Sequence, residues 1–97
     1  MIDKKTRIKL RSLASTIKPI VWVGKDGFTE SVLKQIDEEL FNHELIKIAL
    51  QETTPELSEF ELSEIAVKLS CEVVTTIGKK IVLYRLSQKK GIKHILV

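Results

Sequence analysis

The protein has 97 residues, of which 43% are hydrophobic and 30% are charged, and its formal net charge is +3. This composition is that of an ordinary folded globule, and the frequent aliphatic residues exclude a disordered chain. No apolar run reaches the roughly 18 residues of a membrane span, and the basic N-terminus lacks the apolar segment of a secretory signal. One cysteine, Cys71, excludes an internal disulfide and favours a reducing compartment. We therefore expect one cytoplasmic domain over residues 1–97, without membrane association.

The first half of the chain predicts a helix, a strand and a second helix. Residues 6–17 form the first helix, which Pro19 ends, and its apolar arc is Leu10, Leu13, Ala14 and Ile17. Residues 20–23 are a β-branched apolar run, typical of a strand. Thr29 is suited to cap a second helix that closes at residues 42–44. The face we expect this helix to bury contains Val32, Leu33, Ile36, Leu40 and Phe41.

The second half predicts three strands and a third helix. Residues 45–50 form a strand, and Ser58 with Glu61 matches the capping box that opens a helix. The expected core of this helix is Phe60, Ile65, Ala66 and Leu69. Strands at 73–77 and 81–86 are too close for a crossover, so they form an antiparallel hairpin, whereas strands separated by helices become parallel neighbours. The order α-β-α-β-α-β-β predicts an α/β (α+β) fold with a four-stranded mixed sheet and helices packed against it.

The charges are segregated along the chain. Residues 1–25 carry seven basic residues and one acid, residues 26–72 carry three basic residues and 12 acids, and residues 73–97 carry six basic residues and no acid. A basic head and tail around an acidic middle predicts a one-sided positive surface that favours a polyanion. The basic candidates are Lys4, Arg7, Arg11 and Lys18 around the first helix, and Lys79, Lys80 and Arg85 on the hairpin.

A glycine-bracketed loop lies between the first strand and the second helix. It consists of Gly24, Lys25, Asp26 and Gly27. Glycine permits a close backbone approach to a ligand, and the following helix N-terminus and Lys25 both attract phosphate. The loop does not match the phosphate loop of nucleotide hydrolases, which is longer and ends in Gly-Lys-Ser/Thr. Two glycines around a turn are more often only a turn, so the loop alone leaves both readings open.

Five sequence blocks stand in an order and at a spacing that are more specific than this loop. They are LRSLA at 10–14, KPIVWVGKDG at 18–27, HELIK at 43–47, IGK at 77–79 and LYR at 83–85. Together they resemble the YhbY-type proteins, the bacterial stand-alone form of the CRM (chloroplast RNA splicing and ribosome maturation) domain. The resemblance covers about residues 4–86. The tail at 87–97 has no family pattern, and its lysines Lys89, Lys90 and Lys93 form either a flexible arm or a solvated end.

The resemblance implies a function and a fold. Family members bind RNA, bacterial ones are associated with precursors of the large ribosomal subunit, and their fold resembles the C-terminal domain of translation initiation factor three. The GxxG loop is the family's RNA contact, which carries over to Gly24, Lys25, Asp26 and Gly27. Two positions depart from the pattern: Asp26 often corresponds to Asn, and Ser70 stands where we expect Gly at the end of the third helix.

The interpretation is a monomeric RNA-binding protein that binds ribosomal RNA in precursors of the large ribosomal subunit and acts there as an assembly factor. The expected RNA contacts are residues 24–27 together with Lys4, Arg7, Arg11, Lys18, Lys79, Lys80 and Arg85. Trp22 and Tyr84 are candidates for base stacking, but core packing is favoured for both because they lie in apolar strands.

Several features argue against catalysis, and two rivals to RNA binding remain. His43 and His94 have no partner at metal-ligand spacing, and the acids at 37–39 lie on a polar helix face. We therefore expect no enzyme, no metal and no cofactor. One rival is a protein-interaction module that docks ribosomal proteins through its acidic middle segment. The other is an RNA-processing enzyme.

Overall fold

The computed structural model describes residues 2–95, over which it contains three helices and four strands. The helices are α1 (Lys4–Ala14), α2 (Glu30–His43) and α3 (Glu59–Leu69). The strands are β1 (Val21–Val23), β2 (Leu45–Leu50), β3 (Glu72–Ile77) and β4 (Lys80–Tyr84). The predicted element order and mixed four-stranded sheet are confirmed. One domain over residues 1–97 stays a prediction, and residues 1, 96 and 97 lie outside the described residues.

The strands lie in the order β1-β2-β4-β3. β1 and β2 are parallel, as the helix between them requires, and β3 and β4 form the predicted antiparallel hairpin. The expectation that β2 and β3 are also neighbours was wrong, because β4 lies between them and pairs antiparallel with β2. The connection through α3 places β3 two strand positions away from β2, and the short β3–β4 hairpin then places β4 in the position between them.

The two faces of the sheet bury different cores, because side chains alternate along each strand. The α2–α3 core lies on one face and contains Val21, Val23, Ile36, Leu40, Ile46, Ile48, Leu69, Ile81 and Leu83. The α1 core lies on the other face and contains Leu10, Ala14, Leu45, Val74, Val82 and Tyr84. The burial of Tyr84 confirms its predicted place in the core.

Local hydrogen bonds account for the ends of α1, which differ from the predicted bounds. Asp3 caps the helix, because its Oδ1 accepts the Thr6 N–H at 2.7 Å. The helix ends at Ala14, three residues before the predicted end. The hydroxyls of Ser15 and Thr16 each donate to the carbonyl three residues earlier, so the backbone leaves the helix before Pro19 is reached.

Both predicted N-caps are confirmed. The Thr29 Oγ1 accepts the Val32 N–H at 3.2 Å at the start of α2. The Ser58 Oγ accepts the Glu61 N–H at 3.1 Å, and the Glu61 carboxylate accepts the Ser58 N–H at 3.3 Å. These bonds satisfy amides that a helix start leaves free, so local sequence decides where both helices begin.

Four large apolar side chains predicted to be buried are exposed instead. Trp22 is 60% exposed and Phe60 is 71% exposed. Val21 and Val23 point into the α2–α3 core, so strand alternation turns Trp22 to the opposite face. Phe60 lies beside the apolar stripe of α3, which consists of Leu62, Ile65, Ala66 and Leu69. Leu13 and Phe41 are also exposed, because Ala14 and Leu40 beside them occupy the buried faces of their helices.

Ser70 at the C-cap of α3 has a left-handed backbone, with φ of 53° and ψ of 43°. This geometry explains why glycine is expected there, because a Cβ is unfavourable in that region. We expect Ser70→Gly to raise the free energy of unfolding by about 1 kcal/mol. Urea denaturation measures the change, with Ser70→Ala as the control that retains the Cβ. A glycine variant no more stable than the alanine variant would contradict this reading.

Candidate nucleic-acid interface

The GxxG loop, residues 24–27, is a tight turn between β1 and α2. The Gly27 N–H donates to the Gly24 carbonyl at 3.0 Å, and Gly27 has a φ of +71°, which favours glycine. The Thr29 N–H donates to the Gly27 carbonyl at 3.0 Å, so the turn leads directly into the capped start of α2. Lys25 and Asp26 are exposed at the tip. The loop therefore presents a lysine beside the N-terminus of a 14-residue helix, where the partial charge is positive.

The segment that follows β2, residues 51–55, holds the GxxG loop in place. The Val23 carbonyl accepts both the buried Thr54 hydroxyl at 2.7 Å and the Gln51 N–H at 2.9 Å. A Cβ on Gly24 would lie 3.3 Å from the Gln51 Oε1, which is a close approach. The loop thus rests against a second loop that also follows a parallel strand, at the same end of the sheet.

The turn between β3 and β4 lies at this end as well. Lys80 pairs with Ala49 of β2 and with Ile77 of β3, and the Leu50 N–H donates to the Lys79 carbonyl at 2.7 Å. Both lysines are exposed. We call this end the loop end of the sheet; it comprises the GxxG loop, residues 51–55 and the turn at 78–79. Three of the predicted cations, Lys25, Lys79 and Lys80, are brought together there.

The Arg7 side chain turns toward β3 and bonds to its backbone, away from the other basic residues of α1. Its Nη1 donates to the Val73 carbonyl and, at 2.9 Å, to the Val74 carbonyl. The register of β3 against β4 shifts between Val73 and Thr75, and the guanidinium satisfies carbonyls at this irregularity. These bonds give Arg7 a structural role, and they leave its predicted RNA contact untested.

Arg85 is also engaged within the chain. Its Nη1 donates to the Asp37 Oδ1 at 2.6 Å and to the Leu69 carbonyl at 2.9 Å, and its Nη2 donates to the Asp37 carbonyl at 2.9 Å. The side chain is only 19% exposed. These bonds join the end of β4 to α2 and to the last turn of α3, which gives Arg85 a structural role and leaves its predicted RNA contact untested.

The remaining predicted cations are exposed but do not lie at the loop end. Lys4 and Arg11 are on α1, and Lys18 follows that helix. Lys18 lies near the opposite end of the sheet, because the Ile20 N–H donates to the Lys47 carbonyl and β1 runs from there toward the GxxG loop. The predicted stripe is thus interrupted, since Arg7 turns inward.

The structure also identifies two surface residues that were not predicted as part of the site. For Trp22 core packing was favoured over base stacking, and Lys47 was regarded only as part of a strand. Both point to the α1 face of the sheet, because their strand neighbours point into the α2–α3 core. The alternation of side chains along each strand was available from the sequence. It shows which residues share a face, but which face is exposed is known only when the position of the covering helix is known.

Within residues 2–95, three further features bear on catalysis, metal binding and membrane insertion: the Cys71 thiol, the grouping of possible metal ligands, and the character of the helices. Burial raises the pKa of Cys71 to about 11, opposed by the charge of Arg85 and reinforced by that of Glu72, so its thiol is a weak nucleophile at neutral pH. Over this part of the chain, no three His, Cys, Asp or Glu side chains are grouped to hold a metal ion. None of the helices described there has the length and apolar character needed to cross a membrane.

Comparison with known protein families matches residues 2–85 to the CRS1/YhbY (CRM) domain. The chain belongs to this CRM domain family. It is 34% identical over 92 residues to a Haemophilus influenzae protein named "RNA-binding protein", with 95% of this chain and 93% of that protein covered. It is 39% identical over 90 residues to the Bacillus subtilis protein named "Probable RNA-binding protein YqeI", with 92% and 93% covered.

A solved structure of similar sequence has the same fold as this CRM domain. The solution structure of SAV1595 from Staphylococcus aureus superimposes with a TM-score of 0.69 at 39% sequence identity. The match covers 93% of this chain and 94% of that protein. The family resemblance noted in the five sequence blocks is therefore confirmed at the level of the whole fold.

The CRM domain match ends at residue 85, and the tail beyond it docks on a buried carboxylate. Glu44 is fully buried at the C-cap of α2. Its Oε2 accepts the Ser87 N–H and contacts the His94 Nδ1, both at 2.7 Å, and its Oε1 accepts the Ile95 N–H at 2.9 Å. The tail is therefore anchored between residues 87 and 95, and its last two residues lie outside the described part.

The Glu44 anchor makes stability depend on pH. Burial alone raises the pKa of Glu44, but the hydrogen bonds from Ser87, His94 and Ile95 outweigh it, so the pKa lies below its usual value. Such a carboxylate contributes stability that is fully present above its unfolded pKa of about 4.5 and is lost as the pH falls through the lower folded pKa. We expect Glu44→Gln to destabilise the protein near neutral pH and to have less effect near pH 3.

Urea denaturation of the wild type and the variant at both pH values measures this difference. Glu38→Gln, on the exposed surface of the same helix, is the matched control and should leave stability nearly unchanged. A Glu44→Gln effect of equal size at both pH values would show that the ionised carboxylate does not hold the tail.

Proposed function

We propose that this protein binds RNA by its backbone at the loop end of the sheet and does not catalyse a reaction on it. The observation that carries the proposal is that Lys25, in a tight turn that opens a helix, and Lys79 and Lys80, at the β3–β4 turn, lie at the same end of the sheet. Membership of the CRM family and the names of the relatives support it. The proposed contacts are the loop residues 24–27 with these lysines, and Lys4, Arg11 and Lys18 add charge that attracts the RNA from a distance.

The proposed binding mode is electrostatic attraction followed by seating of phosphates on the GxxG loop. The three lysines neutralise phosphates and release condensed counterions, which supplies most of the free energy of binding. The absence of side chains at Gly24 and Gly27 allows the RNA backbone to come close to the loop. Asp26 is exposed at the same tip, and its negative charge directs the phosphate to the Lys25 side of the turn.

The test in solution is the salt dependence of RNA affinity. Fluorescence anisotropy of a labelled RNA measures Kd across a range of salt concentrations. Three phosphate contacts to a single strand predict a logarithmic slope of about −2. A protein that does not bind RNA at low salt, or binds with a slope near zero, would contradict the proposal.

We further propose that the RNA is ribosomal RNA in precursors of the large ribosomal subunit, and that the protein acts there as a monomeric assembly factor in the cytoplasm. The resemblance of the five sequence blocks to YhbY-type proteins supports this assignment. Sedimentation of a native lysate in low salt tests it, with each fraction probed for the protein. Co-migration with large-subunit precursors that is lost at higher salt is expected, and recovery only at the top of the gradient would contradict the ribosomal assignment.

A second candidate function is docking of a basic protein on α3. Phe60 and Val67 are 71% and 79% exposed, and a separation of seven residues places them on one side of the helix. Glu59, Glu61 and Glu64 add negative charge around them. If this surface holds the protein on the ribosomal particle, the double variant Phe60→Ala, Val67→Ala leaves the precursor fractions while its RNA Kd is unchanged. A double variant that stays in those fractions would exclude this role.

A further inference from the structure

A row of four side chains crosses the whole sheet at its loop end. Trp22 of β1 is paired with Ala49 of β2, Ala49 with Lys80 of β4, and Lys80 with Ile77 of β3. Paired residues in a sheet point to the same face. The neighbouring positions along β1, β2 and β4 point into the α2–α3 core: Val21, Ile48 and Ile81. The row, which we call the Trp22 row, therefore lies on the α1 face.

The Trp22 row is open to solvent because α1 packs on the other half of that face. Trp22 is 60% exposed, Ile77 is 67% exposed, and Lys80 is exposed between them. Ala49, between Trp22 and Lys80, is only 3% exposed, so the exposed members of the row are Trp22, Lys80 and Ile77. Packing of the sheet does not require a tryptophan here, since its ring contributes to neither core.

The Trp22 row and the row beside it are positively charged, while Asp26 and Glu52 are exposed acids of the adjoining loop end. In the next row of the same face, Lys47 pairs with Val82, and Val82 pairs with Thr75. Ile20 joins this second row through the hydrogen bond from its N–H to the Lys47 carbonyl. The two rows thus contain two lysines and no carboxylate. Lys79 and the GxxG loop adjoin them, because Lys79 precedes Lys80 and Gly24 follows Trp22 by two residues.

We propose that the Trp22 row binds an unpaired RNA base, which stacks on the Trp22 indole while Lys80 and Lys47 contact the flanking phosphates. This proposal rests on RNA binding at the loop end and adds the class of RNA, which is single-stranded. An exposed aromatic ring next to cations on a sheet matches a base joined to phosphates, whereas an apolar protein partner would leave the lysines unpaired. Bases within a double helix are already stacked and cannot reach the ring.

The intrinsic fluorescence of Trp22 provides a direct test, because it is the only tryptophan in the chain. The probes are a short single-stranded RNA of uniform sequence and a double-stranded RNA of the same length. We expect the single strand to quench the emission, and the duplex to bind through the loop with little quenching. We also expect Trp22→Ala to weaken single-strand binding roughly 5- to 100-fold, as loss of one stacked base does, and Trp22→Phe to weaken it less.

Phe60→Ala is the matched control, because Phe60 is equally exposed but lies on the acidic α3. It should leave both Kd values unchanged, and thermal unfolding verifies that each variant is folded. One contrary outcome is that loss of Lys25 and Lys79 weakens RNA binding whereas Trp22→Ala does not. That outcome would overturn the stacking of a base on Trp22 but not RNA binding at the loop end, and it would favour a protein as the partner of the Trp22 row. Equal quenching by the duplex would overturn the preference for an unpaired base. Absence of RNA binding by the wild type would overturn the proposed function, and with it this inference.

Discussion

The double variant Lys25→Ala, Lys79→Ala is expected to bind RNA roughly 25-fold more weakly than the wild type at about 0.1 M salt. Each phosphate contact to a single strand contributes about 0.7 to the logarithmic salt slope, which is a factor of roughly five at this concentration. Both lysines are exposed, so the variant should retain the wild-type stability. Anisotropy titrations over a range of salt concentrations measure the affinity and the reduced slope together.

The matched control removes the same number of charges from the opposite end of the sheet. Lys90 and Lys93 of the tail are exposed and lie between Ser87 and Ile95, which bind Glu44 at the C-terminal end of α2. Lys90→Ala, Lys93→Ala should therefore change the affinity by no more than about twofold, since distant charges are screened. If both double variants lose affinity equally, net charge rather than the loop end governs binding.

Gly27 is a less suitable position for such a test, because its φ of +71° makes any side chain strained.

Among the predicted basic residues, Arg85→Ala is expected to cause the largest loss of stability, at about 2 kcal/mol. The guanidinium donates to the Leu69 carbonyl and to the carbonyl and carboxylate of Asp37, so its removal leaves two carbonyls without this donor. The ion pair itself accounts for less than about 1 kcal/mol of this, because the Asp37 side chain is 56% exposed. Urea denaturation gives the difference in the free energy of unfolding.

Two further measurements separate this structural role from the RNA contact that the sequence had indicated for Arg85. Arg11→Ala removes an exposed arginine of α1 and should change stability by less than about 0.5 kcal/mol. The RNA Kd of folded Arg85→Ala should stay within about twofold of the wild type, because the guanidinium is engaged inside the chain. A large loss of affinity without a loss of stability would return Arg85 to the binding surface.

The elements and their order followed from signals that act within a few residues. Thr29 and the Ser58–Glu61 pair mark helix starts because each cap bonds to an amide three residues away. The strand at Leu45–Leu50 was predicted with its correct bounds, because it is a continuous apolar run between a helix end and a polar loop. The end of α1 was missed because the hydroxyls of Ser15 and Thr16 compete with the helix, which periodicity does not reveal.

The candidate site was predicted less completely than the fold. The GxxG loop and the turn with Lys79 and Lys80 were identified from their residues, and the structure places them at one end of the sheet. Arg7 and Arg85 could not be distinguished from surface cations, because the carbonyls that they contact are distant in the chain. They are 66 and 67 residues away for Arg7, and 16 and 48 residues away for Arg85. That these loop residues contact RNA stays a prediction.

Residue types and short-range patterns were thus sufficient for the helices, the strands, the glycine loop and the family of this protein. Long-range packing was needed to learn that β4 lies between β2 and β3, that Glu44 anchors the tail, and that Trp22 faces solvent. The reason is that a strand's alternation defines two faces without saying which one is covered. In this fold α1 covers one half of its face, and the half that it leaves open carries Trp22 and Lys80 beside the GxxG loop.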